Sequence, residues 1–131
     1  RLPFKNNSFD LVVLSQILEH LFYPEKVIEE SKRVSRKYIL VGLPNEVAIH
    51  LRLKILKGES TISYSRHGHH YMFNFGVSEK FVKTKFSPEF KIVGRYFQRI
   101  APTRKIPLPN VMLKKFPNLL AREFYYLLMK K

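Results

Sequence analysis

Two apolar stretches without alternation stand out in the first third of the chain. Residues 9–14 read FDLVVL and residues 38–43 read YILVGL. Unbroken apolar runs of this length are typical of strands buried on both faces of a parallel sheet. Between them, Pro24, Glu25 and Arg33 occupy positions that suit the first turn and the last turn of a helix. The pattern predicts a strand, a helix and a parallel strand, and therefore an α/β fold.

The next segments are shorter and less regular. Residues 47–58 fit either an alternating strand or a basic amphipathic helix, and we favour a helix that packs on its own sheet. Residues 69–74 are predicted to be extended. Residues 78–86 are predicted to form a short helix with Ser78 at its N-cap.

The last third of the chain contains two strand candidates. Residues 90–100 alternate, so that one face is apolar and the other is basic, as in an edge strand guarded by charge. The apolar face is predicted to hold Phe90, Ile92, Tyr96 and Ile100, and the basic face Lys91, Arg95 and Arg99. Residues 122–131 fit a helix or a strand, and their apolar side chains on both faces would suit a strand between two others.

Composition narrows the class of protein. The 131 residues fit one domain, and the chain has no cysteine, which excludes disulfides and thiolate metal sites. No apolar run approaches the length of a membrane span, and no signal segment is visible at the N-terminus. The sequence therefore predicts a protein of the cytoplasm without a transmembrane segment.

Positive charge is concentrated in one part of the chain. The total is 24 Lys and Arg against 10 Asp and Glu, a net +14. Residues 1–50 hold seven basic and six acidic side chains, net +1, so residues 51–131 hold 17 and four, net +13. Such a field attracts anionic substrates or nucleic acid, or serves only to keep the surface soluble.

The opening residues resemble the middle of class I S-adenosylmethionine-dependent methyltransferases. The matching motifs are a Leu-Pro-Phe stretch that begins at Leu2, a Phe-Asp strand start at residues 9–10, a Leu-Glu-His sequence at residues 18–20, a helix that carries Pro24, and a strand that closes in Pro-Asn at residues 44–45. The resemblance is strong over about 45 residues. The remainder fits the family more weakly.

This resemblance implies a partial Rossmann-like sheet. Residues 1–131 would form one domain, the C-terminal half of a methyltransferase domain, with strands four to seven of the family. Residues 1–45 would be the βαβ core and residues 46–131 the basic, substrate-side part, ending in an antiparallel hairpin of residues 90–100 and 123–129. The family's glycine-rich turn and ribose-binding acidic residue would precede Arg1. We therefore expect the isolated chain to be inactive, and the complete domain to bind S-adenosylmethionine.

The resemblance also assigns site residues. Leu2 and Pro3 would lie near the adenine. The methionine side of the cofactor would be lined by Ser15, Gln16 and Leu18.

On the substrate side, the resemblance places Asn45 and His67. No catalytic base is assigned, and the candidates are His20, His69 and His70. Methyl transfer depends mainly on aligning the donor with the nucleophile, so a base is not required.

The histidine-rich segment at residues 67–70 also invites a metal-site interpretation. An extended backbone would send His69 and His70 to opposite faces, so one ion could not easily use both. We therefore expect no metal site here.

The sequence leaves two alternatives for the partner of the first strand and two for the class of function. The strand at residues 9–14 would lack its usual neighbour, so we expect its edge to pair with the missing N-terminal half or with a second copy. The alternative to an enzyme is a non-catalytic remnant of the methyltransferase fold that binds nucleic acid or protein through its basic surface. The methyl acceptor is not identified by the sequence.

Overall fold

A computed structural model describes residues 1–59, 68–99 and 109–131. The elements in these residues are β1 (Phe9–Ser15), a 3-10 turn (Leu18–His20), α1 (Pro24–Val34), β2 (Ser35–Pro44), α2 (Ile49–Leu56), α3 (Phe75–Phe86), β3 (Phe90–Arg99), α4 (Asn110–Lys115), α5 (Pro117–Leu120) and β4 (Ala121–Lys130). No described helix is long and apolar enough to cross a membrane.

The four strands form one mixed sheet in the order β1-β2-β4-β3. β1 and β2 are parallel, whereas β4 is antiparallel to both of its neighbours. This order confirms the predicted βαβ unit, the position of β4 between two strands, and the edge position of β3. It is a partial Rossmann-like sheet that ends in an antiparallel hairpin of β3 and β4.

The core lies between the sheet and helices α1 and α3. Ile28 of α1 and Phe86 of α3 are fully buried against it. On the sheet, the side chains that face these helices are Leu14, Ile39, Val41, Phe124, Tyr126 and Leu128. The helical spacing of apolar residues in α1 accounts for this packing, because residues three and four apart share one helix face.

The prediction that the first strand is buried on both faces is wrong. In β1 only Leu14 is buried, while Leu11 and Val13 are 49% and 53% exposed. β1 lies at the sheet edge, and these two side chains point away from α1. The same sheet face continues through Leu127 to Tyr96, which is 66% exposed.

Helix α3 begins earlier than predicted. Asn74, not Ser78, is the N-cap, and its side chain accepts a hydrogen bond from the Val77 amide at 3.0 Å. Ser78 lies inside the helix, where its buried hydroxyl contacts the hydroxyl of Tyr126 at 2.6 Å. Both residue types make good caps, and the extended backbone at Asn74 decides between them.

The predicted faces of β3 hold only for its first residues. A β-bulge lies between Ile92 and Gly94, so residues beyond it are displaced by one position. Phe97 therefore packs against Phe124 in the core, while Tyr96 faces the opposite side with Tyr125. Ile100, the last residue assigned to the apolar face, lies outside the described residues.

Helix α2 forms as predicted but does not pack on the sheet. None of its residues is buried, and Leu53, Ile55 and Leu56 are all at least half exposed. Its neighbour is the short helix α5. The mixed alternating and helical spacing of this segment gives no continuous apolar face to bury.

Candidate functional site

The carboxyl ends of the two parallel strands lie side by side. Ser15, the last residue of β1, pairs with Gly42 of β2, and the Gln16 amide donates to the Gly42 carbonyl at 3.1 Å. The segments that follow the two strands therefore leave the sheet at the same end, the end formed by the carboxyl termini of the strands. In open α/β sheets, ligands bind at this end.

Gln16 has two unusual features at this end of the sheet. Its backbone φ of 52° lies in the left-handed region, which residues other than glycine adopt rarely. Its Nε2 is buried and has no hydrogen-bond partner among the described residues. A buried donor without a partner is uncommon in a native fold and marks a place where a ligand can bind.

The 3-10 turn after Gln16 holds a buried carboxyl group. Glu19 is fully buried, and both of its carboxylate oxygens lack a hydrogen-bond partner within the described ranges. Burial raises the pKa of Glu19 above its usual value. The Nε2 of His20 lies 3.9 Å from Glu19 Oε1, too far for a hydrogen bond.

A distant segment returns to this turn. The His70 amide donates to the Glu19 carbonyl at 2.7 Å, which fixes residues 69–70 against the turn. His69 Nδ1 contacts Glu46 Oε1 at 2.5 Å, and the His69 ring packs edge-on against that of His20 with centroids 4.7 Å apart. Three parts of the chain therefore meet at His69.

The three candidate bases do not share one environment. His20 and His69 are in ring contact, whereas the His70 ring lies 3.8 Å from that of Phe22. The predicted divergence of His69 and His70 is therefore present, although this segment is not a strand. His67 lies outside the described residues.

Asn45 is engaged in the fold. Its side-chain amide donates to the carbonyls of Ala121 and Asn118 at 2.7 and 3.0 Å, and its oxygen accepts from the Val47 amide at 3.2 Å. Asn45 is buried and ties the end of β2 to the start of β4. Its substrate-side role stays a prediction.

The remaining predicted cofactor residues are dispersed. Leu18 is fully buried in the core beneath the 3-10 turn. Leu2 lines a groove of about 790 Å³ between β1 and α1, and its amide donates to Glu30 at 2.7 Å. Pro3 lines a shallower surface pocket beside Arg33.

Sequence reasoning did not include Glu46 among the site residues. Glu46 directly follows Asn45 at the end of a strand predicted to be parallel to β1. The carboxyl ends of parallel strands lie together at one end of the sheet, where ligands bind, so the position of Glu46 after such a strand indicates a site residue. The contact with His69, 23 residues further along the chain, had no signal in the local pattern.

Comparison with solved structures places this fold among methyltransferases. A SAM-dependent methyltransferase from Thermotoga maritima, described as a possible histamine N-methyltransferase, is 17% identical with a TM-score of 0.58. The match covers all of this chain and 60% of that protein. A SAM-dependent methyltransferase from Archaeoglobus fulgidus is 13% identical with a TM-score of 0.57, over 96% of this chain and 61% of that one.

The chain thus spans about 60% of the length of these two solved proteins. At such low identity the likeness shows the fold alone, a class I methyltransferase fold that is partial. No curated protein sequence is significantly similar to the chain. The family model described as "Methionine biosynthesis protein MetW" matches residues 2–67, half of the chain. The chain therefore belongs to the MetW family.

Proposed function

We propose that this chain is the C-terminal portion of an S-adenosylmethionine-dependent methyltransferase that acts on an acceptor still to be identified. One observation carries the proposal. In this methyltransferase fold, buried polar atoms of Gln16, Glu19 and His20 that find no partner in the described part of the chain follow directly after β1, at the ligand-binding end of the sheet.

The residues at this end of the sheet fit one side of the cofactor. The Gln16 amide, which has no partner among the described residues, suits a carboxylate such as that of the methionine moiety, and the preceding residue, Ser15, is exposed. Leu2 offers an apolar surface of the kind that an adenine ring contacts. Leu18 supports the turn from the core. When bound, S-adenosylmethionine supplies a methyl group already activated by its sulfonium.

On the substrate side, His20 and His69 are the two candidate bases that the fold brings together. Each is about one-third exposed, so both can reach a substrate from solvent. Their main task is to position the acceptor, because alignment with the methyl group contributes most to such a reaction. Asn45 does not contact the substrate in this proposal, and it contributes by holding the end of β2 in place.

Cofactor binding tests the proposal. We expect calorimetry to detect no S-adenosylmethionine binding by the 131-residue chain, and binding to appear when the coding sequence upstream of Arg1 is included. Absence of two charge-assisted hydrogen bonds removes about 3 to 6 kcal/mol, which moves a micromolar site to roughly millimolar or weaker. A Kd below about 10 µM for the chain alone would contradict this arrangement.

A matched pair of variants tests the residue assignment in the longer protein. Gln16→Ala removes the unpartnered amide and should weaken cofactor binding about tenfold. Gln98→Ala removes the same side chain from β3 and should leave binding unchanged. Equal affinity for Gln16→Ala and the unmodified protein would remove Gln16 from the cofactor site.

A basic binding module is the second candidate, and the charge distribution favours it. Residues 51–131 carry a net +13, and α2 exposes Arg52 and Lys54. Weak, sequence-independent binding to nucleic acid at low salt, lost near physiological salt, would be the result of counterion release. Retained nucleic-acid binding without cofactor binding in the longer protein would favour this candidate over the enzyme.

A further inference from the structure

Glu19, His20 and His69 converge on one point between the 3-10 turn and the returning segment. One ligand-type atom from each residue lies within 4.8 Å of the other two. Ligand atoms around one metal ion are separated by about 3 to 3.5 Å when metal–ligand bonds are about 2.0 to 2.2 Å. Side-chain adjustments of about 1 Å therefore bring the three groups to coordination distance.

The buried carboxyl group needs a partner that the described residues do not provide. Glu19 is fully buried with both oxygens unpartnered, and the Nε2 of His20 lies 3.9 Å from Glu19 Oε1, too far for a hydrogen bond. An unpaired buried carboxylate is costly, and proteins compensate it by pairing or by metal coordination. The rise in the pKa of Glu19 has the same cause, namely its desolvation.

The third group, His69, is held in place by a carboxylate. With the ring proton on Nδ1, His69 donates to Glu46 Oε1, and its Nε2 lone pair is then available for a metal ion. A carboxylate that orients a histidine in this way is the usual second partner of a metal-binding imidazole. Glu46 is mostly buried, and His69 is 36% exposed.

We propose that Glu19, His20 and His69 bind one divalent transition-metal ion, with Glu46 as the positioning residue for His69. Two imidazoles and one carboxylate suit Zn²⁺, Co²⁺ or Fe²⁺, whereas Mg²⁺ and Ca²⁺ prefer oxygen ligands only. Three protein ligands leave at least one coordination position for a ligand from solvent.

This proposal does not rest on the methyltransferase function. It also departs from the expectation of no metal site, which considered the histidines of residues 67–70 as neighbours in sequence. The site that the structure forms uses one of them together with two residues about 50 positions earlier.

Metal titration of the untagged 131-residue chain tests the proposal. Calorimetry and equilibrium dialysis should each find one equivalent of Zn²⁺, and Co²⁺ should bind with a visible absorption band from imidazole coordination. Mg²⁺ at the same concentrations should not compete. Failure of both Zn²⁺ and Co²⁺ to bind stoichiometrically would overturn the proposal.

Four variants locate the ion. Glu19→Gln and His69→Ala should each weaken Zn²⁺ binding more than a hundredfold, and Glu46→Gln about 10- to 100-fold. His70→Ala is the control, because its ring contacts Phe22 instead of the cluster, and it should bind as the unmodified chain does.

Circular dichroism melts of each variant separate metal loss from unfolding. Should Glu19→Gln not fold, His69→Ala decides the question, because His69 is partly exposed and we expect its truncation to leave the fold intact. Unchanged affinity in His69→Ala, or an equal loss in His70→Ala, would refute the assignment.

Discussion

At the scale of single residues, Asn45 shows how one polar side chain can hold two distant segments. Its buried side-chain amide donates hydrogen bonds to carbonyls 73 and 76 residues further along the chain. These bonds connect two segments that no short loop joins. Because the site residue Glu46 lies next to the end of β2 that Asn45 secures, the contribution of Asn45 to the site is indirect. This role can be measured as stability.

Asn45→Ala should lower the free energy of unfolding by about 1 to 3 kcal/mol, because it leaves buried carbonyls without a donor. Urea denaturation followed by circular dichroism measures the change. The control is Asn6→Ala, which removes an exposed surface contact to Arg33 and should change stability by less than about 0.5 kcal/mol. Equal stabilities of the two variants would show that Asn45 does not hold the strand ends.

At the scale of secondary-structure elements, β2 depends on close approach to its neighbours. Gly42 lies between Ser15 of β1 and Tyr125 of β4 in the sheet register. A Cβ at Gly42 would lie 2.7 Å from Tyr125 Cε1 and 3.2 Å from Ser15 Oγ. The glycine therefore makes room for the tyrosine ring.

Gly42→Ala should destabilise the fold by about 1 to 3 kcal/mol, because the half-buried Tyr125 ring has to move. Gly94→Ala is the matched control in β3, since its Cβ would meet Leu127 at an ordinary 3.5 Å. Thermal or urea unfolding of both variants gives the comparison. A Gly42→Ala variant as stable as Gly94→Ala would mean that the ring moves at no cost.

Local sequence patterns predict strands and helix starts in this chain, but they do not predict bulges or tertiary contacts. The two strands β1 and β2 and the helix start at Pro24 depend on neighbouring residues, so the sequence predicts them correctly, although it does not predict the exposed face of β1. The position of Tyr96 is not predicted, because a bulge of one residue leaves the composition of β3 unchanged while reversing its faces. The pairing of His69 with Glu46 depends on tertiary folding, so no local pattern reports it.

At the scale of the whole molecule, the β1 edge of the sheet lies next to an exposed sheet face. Leu11 and Val13 of β1 are about half exposed, and the groove beside β1 is lined mainly by apolar side chains. A long apolar edge strand of this kind provides unpaired backbone groups for another strand. A second copy, or further chain belonging to the same protein, can supply that strand.

We expect the 131-residue chain to self-associate through β1. Light scattering at high micromolar concentration should find a dimer, and Val13→Lys should shift it toward monomer by placing a charge on the edge strand. Lys91 of β3 provides the control, since Lys91→Ala changes the opposite edge. A stable, monodisperse monomer for the unmodified chain would contradict the expectation.

The bulges of β3 also determine the symmetry of any such assembly. Two irregular positions, at Ile92–Gly94 and Gln98–Arg99, together with basic side chains, make that edge unsuited to pairing. Between two copies, β1 is therefore the one sheet edge in the described residues that is suited to pair with another β1. That contact uses the same surface on both copies, so it generates a two-fold axis and closes after two subunits. A regular β3 would instead allow β1 to join β3 of the next copy, a head-to-tail contact that repeats without limit and yields filaments.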